Sequence, residues 1–412
     1  MATIRRPDKI QSLLIPLEIC GIICQAADFT QCDLRSLSLI SRAFNAEANH
    51  LLYASVTLWN YDHIISFCHT ITRKPRMINP LHTLAMYMPC TQLLLPDDCH
   101  LIDEMLDICQ NKVRHYSVWH EDEQLAQMLV NRSAMTSLVM HDFKLKSFST
   151  NYFVPGILAE FLQTQSDTLE ELVIECGSDM ISGSDPSLQG VLLPQLKRLS
   201  CTNGVLHDFL SEESTIMKLE QVHLAFVKEN EADERRTTRI LSRFSKTLKS
   251  LSITRYQGFY GHETAGYIKY VAKYLPDIKF LRILDYTLVP YEDRNPPVER
   301  IDPAKTFKDL KTLIVLPVRM RQRISRNNAS GFNPAYKPFW SERGIDDHAN
   351  EVMREIPTLN RVVFITNKDF YEYSRASVPE DDLPEDDPYE WPLMVYKAQE
   401  YEEAFGCVWA RH

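Results

Sequence analysis

One spacing of apolar residues returns along most of the chain: apolar, two free positions, apolar, one free position, apolar. It occurs at Leu81-Leu84-Met86, Val113-Tyr116-Val118, Met135-Leu138-Met140, Leu169-Leu172-Ile174 and Leu196-Leu199-Cys201. It occurs again at Leu219-Val222-Leu224, Leu248-Leu251-Ile253, Ile278-Leu281-Ile283, Leu310-Leu313-Val315 and Leu359-Val362-Phe364. The last two apolar positions of each string have the period of a short half-buried strand, and the first lies in the turn leading into it. Between the strings lie segments of helical character at 62–71, 102–109, 123–130, 155–161, 231–247, 264–275 and 346–356. A strand–helix pair this small cannot bury its own apolar face, so successive pairs must stack into one continuous core. A doubly wound sheet fits less well, because no Gly-rich turn follows any strand.

Upstream of the first string the pattern changes. Between Leu13 and Leu58, Pro16 suits a first helical turn, where its missing N–H would be unpaired anyway. Ile19, Ile22, Ile23 and Ala26 then follow at helical spacing. Asp33 is placed as an N-cap before Leu34, Leu37 and Ile40, and a third run passes through Phe44, Ala48, Leu51 and Leu52. Three amphipathic helices within about fifty residues are near the lower size limit for independent folding. Part of their apolar surface must face the rest of the chain or a partner.

These residues carry a resemblance. Ile15-Pro16-Leu17-Glu18-Ile19, Ile22, Asp33-Leu34, Leu37, Leu39-Ile40-Ser41-Arg42, Phe44, Ala48 and Leu52-Tyr53 resemble an F-box. That pattern has an LPxEI start, a DL pair and an LVSRxF-type third helix. The resemblance implies docking onto a Skp-family adaptor and, through it, a cullin, by way of Pro16, Leu17, Ile19, Ile22, Leu37, Ile40 and Phe44. The recurring string resembles leucine-rich repeats of a long, irregular kind, although the Asn that usually follows the strand is missing and unit length drifts. Together the two resemblances imply an α/β solenoid. A three-helix F-box would occupy 1–53, and an irregular repeat arc with parallel strands concave and helices convex would occupy 54–366. An acidic linker and a C-terminal capping helix would occupy 367–412.

The net charge of -10 argues against phosphate-neutralising nucleic-acid binding and against anionic membrane surfaces. The start, MATIRRPDKIQS, lacks the apolar core of a signal peptide, and no run of about eighteen apolar residues suggests a membrane span. The 10 Cys are dispersed without a C-x-x-C pair, which fits reduced thiols in the cytoplasm or nucleus. Segments 177–190, 291–303 and 318–338 read as loops, the last carrying Arg319, Arg321, Arg323 and Arg326. The acidic, Pro-containing 379–390 reads as a linker. Trp391, Val395, Tyr401, Phe405, Val408 and Trp409 beyond it are too apolar for a free tail, and either cap the last repeat or lie in the groove.

No G-x-S-x-G, G-x-x-x-x-G-K or H-E-x-x-H string is present, so no enzyme, cofactor or metal site is expected. Function then falls on surfaces. The strand positions beside the buried ones face the concave side and hold Tyr87, His115, Trp119, His141, Glu171, Glu175, Arg198, His223, Arg282 and Arg361. Aromatic and Arg side chains dominate binding hot spots. The expectation is a groove for an unknown protein substrate, with Arg198, Arg282 and Arg361 permitting a phosphorylated one. The resulting reading is a substrate receptor of a Skp-cullin-F-box ubiquitin ligase. The alternative is a scaffold that binds the adaptor without directing ubiquitylation.

Overall fold

The computed structural model describes residues 15–26, 29–88, 95–120, 132–175, 188–210, 217–226, 231–255, 264–285, 288–291, 306–316, 319–322, 342–365, 369–375 and 393–397. The helix expected at 123–130, the three long loops for most of their length, and the acidic 379–390 lie outside these residues. The chain forms two compact units, Met1–Glu121 with Asn131–Leu145, and Asp122–Val130 with Lys146–His412.

The first unit begins with three helices, α1 (Leu17–Ala26), α2 (Gln31–Ser38) and α3 (Arg42–Ala54). Pro16 stands just before α1, and its carbonyl accepts from the Ile19 and Cys20 amides at 3.1 Å. The start of α2 differs from expectation. Thr30 is the N-cap and Asp33 its capping-box partner: the Thr30 amide donates to the Asp33 carboxylate (2.9 Å) and the Asp33 amide donates to the Thr30 hydroxyl (3.3 Å). Two orphan amides are satisfied at once, which outweighs a lone Asp cap. Ser41 caps α3 by accepting from the Phe44 amide. Cys20, Cys24, Leu34, Phe44 and Ala48 form the bundle core, with Ile23, Phe29, Leu37, Ala43, Leu51 and Leu52 packed around it.

α3 runs straight into β1 (Ser55–Leu58). Next come α4 (Tyr61–Arg73), a 3-10 turn at Pro75–Ile78, β2 (Thr83–Met88), α5 (Pro96–Cys109), β3 (His115–His120) and α6 (Arg132–Val139). β1, β2 and β3 pair in parallel in chain order. Alternate residues are buried, so Leu84, Met86 and Met88 point inward and Thr83, Ala85 and Tyr87 outward.

The second unit continues the same construction. Its parallel strands are β4 (Ser147–Thr150), β5 (Glu171–Ile174), β6 (Arg198–Thr202), β7 (Gln221–Phe226), β8 (Ser250–Arg255), β9 (Phe280–Asp285), β11 (Thr312–Leu316) and β13 (Arg361–Ile365). Each pairs with the next. The helices between are α7 (Pro155–Thr164), α8 (Asn203–Phe209), α9 (Glu231–Ser242), α10 (Thr264–Tyr274) and α11 (Glu342–Glu355). Short strands β10 (Leu288–Tyr291) and β12 (Arg319–Gln322) form a separate parallel ribbon. Strand order follows chain order without a switch point, which sets this unit apart from a doubly wound sheet.

One string was misassigned by the sequence. Met135-Leu138-Met140 lies on and just after helix α6, and the strand of that repeat is β4. Its own string is Leu145-Phe148-Thr150, disguised because a buried Thr fills the last apolar position. The Thr150 hydroxyl accepts from the Tyr152 amide at 3.0 Å, which makes burial of this polar group affordable.

The register is fixed at the turns. The carbonyl of the residue before a strand accepts two amides from the next turn. Lys146 O takes Glu170 and Glu171 N–H (both 2.9 Å), Glu170 O takes Lys197 and Arg198 N–H (2.9 and 3.0 Å), and the pattern runs on to Lys311 O with Asn360 and Arg361 N–H. In the first unit His82 O accepts from the Arg114 and His115 amides. This backbone ladder takes the part for which the missing Asn would otherwise be needed.

Residues 398–412, which hold most of the expected capping helix, lie outside the described residues. After β13 the described residues form β14 (Asp369–Ser374) and β15 (Leu393–Lys397), added antiparallel. They cover the edge of β13, which would otherwise expose unpaired amides and carbonyls.

Between the end of β8 and helix α9 of the second unit sits a charged pair. Arg255 and Glu234 are both buried and hydrogen-bonded, with the guanidinium 4.7 Å above the Tyr267 ring. Removing one partner leaves an uncompensated buried charge. Arg255→Met is therefore expected to lower unfolding free energy by about 3–5 kcal/mol, and Arg255→Met with Glu234→Leu to recover most of it. Urea denaturation of the three proteins measures this, and equal loss in the double variant would contradict it.

Candidate docking surfaces

Helix α1 turns two opposed faces outward and inward. Cys20 and Cys24 enter the bundle core, while Ile15, Ile19 and Ile22 remain 47%, 44% and 58% exposed. Ile19 and Ile22 lie at i and i+3 on one side of α1, and Ile15 stands two residues before the helix begins. The turn between α2 and α3 adds Leu39 and Ile40, which are 86% and 66% exposed. Burying an aliphatic side chain contributes roughly 1.5–3 kcal/mol, so five left in water are a reserve of binding energy.

Of the residues expected to dock an adaptor, Pro16, Ile19, Ile22 and Ile40 are exposed. Leu37 is half-buried against the core, and the Leu17 side chain lies outside the described residues. Phe44 is a correction: its ring is part of the core and presents no surface. Its amide is tied to the Ser41 cap at the first turn of α3, which turns the side chain inward. Ile15 and Leu39 are exposed although not singled out. Both stand inside the strings Ile15-Pro16 and Leu39-Ile40, so the signal was present.

The residues expected on a concave strand face divide. In the first unit Tyr87 and Trp119 are partly exposed and His115 exposed, all on the outward side of their strands. Trp59, one residue past β1, was not anticipated; its ring stacks on Tyr87 at 4.4 Å. His141 is a correction. It lies buried in the turn after α6, with Nδ1 2.9 Å from Asp107 Oδ1 and Nε2 2.7 Å from the Ser137 carbonyl. Because Arg132–Val139 is a helix, His141 falls in the turn after it and not on a sheet face.

In the second unit the same face closes. Ser252, Thr254, Ile314 and Val363 are outward positions by register, yet all are buried. Arg198 pairs with Glu171 on the neighbouring strand (3.2 Å), and Arg361 pairs with Glu372 of β14 through both carboxylate oxygens (2.8 Å each). Arg282 Nε donates to the Ser252 hydroxyl at 2.8 Å, and that hydroxyl lies 2.8 Å from His223 Nδ1. Burial, and then the Arg282 charge, push the His223 pKa down to about 3, so its imidazole is neutral. Of the expected groove residues, Glu171, Arg198, His223, Arg282 and Arg361 are thus engaged in contacts within the chain. Among the described residues no group of three or more His, Cys, Asp or Glu comes together to hold a metal ion, and no helix is long and apolar enough to cross a membrane.

No family model matches this chain, and no curated protein matches it. A solved structure similar to it is that of the Rad7 and Elc1 complex in yeast, at a TM-score of 0.34 and 11% identity, covering 77% of this chain and 91% of that chain. At that score the likeness carries no argument, and the architecture rests on the strand register itself.

His207, bonded to Thr237 at 2.8 Å, is also pushed down, to about 4, chiefly by burial. Both histidines stay neutral in the folded chain below the ordinary value of 6.5, whereas the unfolded chain takes up their protons. Stability therefore falls as pH drops from 6.5 towards 4, by on the order of 1 kcal/mol per pH unit for each histidine. His223→Asn with His207→Gln, which keep an acceptor at each bonded nitrogen, should flatten that slope in denaturation measured across this window. An unchanged slope would rule out these two groups as its source.

Proposed function

We propose that this protein is the substrate-recruiting subunit of a Skp-cullin-F-box ubiquitin ligase in the cytoplasm or nucleus, and that it performs no bond chemistry itself. The three N-terminal helices act as the F-box, and the strand–helix ladder acts as an irregular leucine-rich-repeat receptor. One observation carries the reading. A helical bundle with the F-box order of residues keeps Ile15, Ile19, Ile22, Leu39 and Ile40 in water while burying Cys20, Cys24, Leu34, Phe44 and Ala48. Such a surface is stabilised by a partner that covers it. A receptor holding a target beside a ubiquitin-loaded enzyme acts by raising local concentration, which needs a stiff body and no catalytic side chain. The closed face of the second unit favours a second reading, a scaffold that binds the adaptor without directing turnover. Target half-life after deletion of residues 1–53 separates the two.

Ile19→Asp with Ile22→Asp should abolish co-purification of a Skp-family adaptor and its cullin, with circular dichroism and melting temperature retained. Phe44→Ala should behave differently, destabilising the bundle by about 3–5 kcal/mol through a core cavity. Undiminished adaptor capture by the double Asp variant would refute the docking role.

A further inference from the structure

The three strands of the first unit carry no Lys, Arg, Asp or Glu, in a chain whose residues are 24% charged. Their outward positions form rows across the sheet. Two rows hold only Ser, Thr, Ala and His115. The third is aromatic. Trp59 follows Leu58, the register partner of Met86, and so lies beside Tyr87; Tyr87 is in turn the partner of Trp119. The Trp59 and Tyr87 rings are stacked 19° from parallel, and Trp59 is 56% exposed. The core beneath is made by Leu58, Met86 and Val118 on the opposite side of the strands. Rings aimed away from that core add little to it.

We propose that this aromatic row docks an extended, uncharged, proline-containing segment of the protein target. Charge decides against the other occupants. A phosphorylated or acidic segment would give up hydration and find no Lys or Arg among the residues of these three strands. Nucleic acid would find no phosphate partner. An amphipathic helix needs a broad apolar groove, and here one row is apolar while its neighbours carry hydroxyls. A proline-rich segment fits both kinds of row. Its rings pack on indole and phenol, and its unbonded carbonyls accept from indole N–H, tyrosine and Ser or Thr hydroxyls. Its backbone is already restricted before docking, so ordering costs little. The inference rests on the reading that this chain recruits a target, but its test does not require the adaptor.

The probe is a fluorescently labelled, end-blocked decaproline peptide, titrated into the full chain and followed by anisotropy. Saturable binding is expected, and it should be unchanged between about 50 and about 500 mM salt because no ion pair forms. Trp59→Ala and Trp119→Ala should each weaken binding about tenfold or more. Trp119→Phe should retain most of it. The Ile19→Asp/Ile22→Asp variant should bind decaproline as the unaltered chain does, which separates this site from the adaptor surface. Thermal melts accompany each variant. If Trp119→Ala unfolds, Trp59→Ala at the exposed end of the row decides the matter. Absence of saturation would overturn the proposal, as would binding that Trp59→Ala leaves intact. So would Trp59-dependent saturation by a neutral chitin hexamer with none by decaproline, which would assign the row to a glycan.

Discussion

A strand–helix pair of about thirty residues has too little interior to hide its own leucines, so each pair is finished by its neighbour. That lateral dependence governs everything else in the chain. It requires successive strands to keep one register, and the pairing of Leu172 with Leu199, Leu199 with Val222 and Val222 with Leu251 shows the same buried column passing from strand to strand. A slip of one residue in any strand would turn its whole buried set outward. It also requires the last strand to be covered, which β14 and β15 do with main-chain bonds.

Much of this was legible because the strings are spaced by geometry. At nine of the ten strings, as at Leu248-Leu251-Ile253, the strand lies where the spacing places it. The failure at Met135-Leu138-Met140 has a physical cause. Residues three apart suit a helical face as well as a turn and strand, and the true strand hid its last position behind a threonine that bonds its own turn. Asp33 was misplaced for a related reason. An acidic residue near a helix start serves as the cap or as the cap's partner at the third helical position, and only Thr30 three residues earlier distinguishes them.

Surface residues were less legible than core ones. Spacing separates the two sides of a strand but is silent about what lies over the outward side. Tyr87 and Trp119 remain accessible, while His223, Arg282 and Arg361 occupy equivalent positions and have become interior groups with partners. The Arg361–Glu372 pair could not be foreseen without knowing that the chain returns antiparallel beside β13. Phe44 illustrates the same limit at the N-terminus. Its place in a motif marks it as important, whereas burial shows that its importance is to hold the bundle whose other face meets the solvent.

The turn ladder has an evolutionary corollary. Because main-chain carbonyls and amides join one turn to the next, the ladder itself asks nothing of the side chain at each rung, and the rungs are in fact His82, Lys146, Glu170, Lys197, Glu220, Lys249, Lys279 and Lys311. Selection can rewrite that edge from basic to acidic without disturbing the stack. Proline alone is forbidden at the donor positions, since each must supply a hydrogen. None of them is proline in a chain that holds 22. An array wired this way can diverge until its side chains share little with any ancestor and still count its turns correctly.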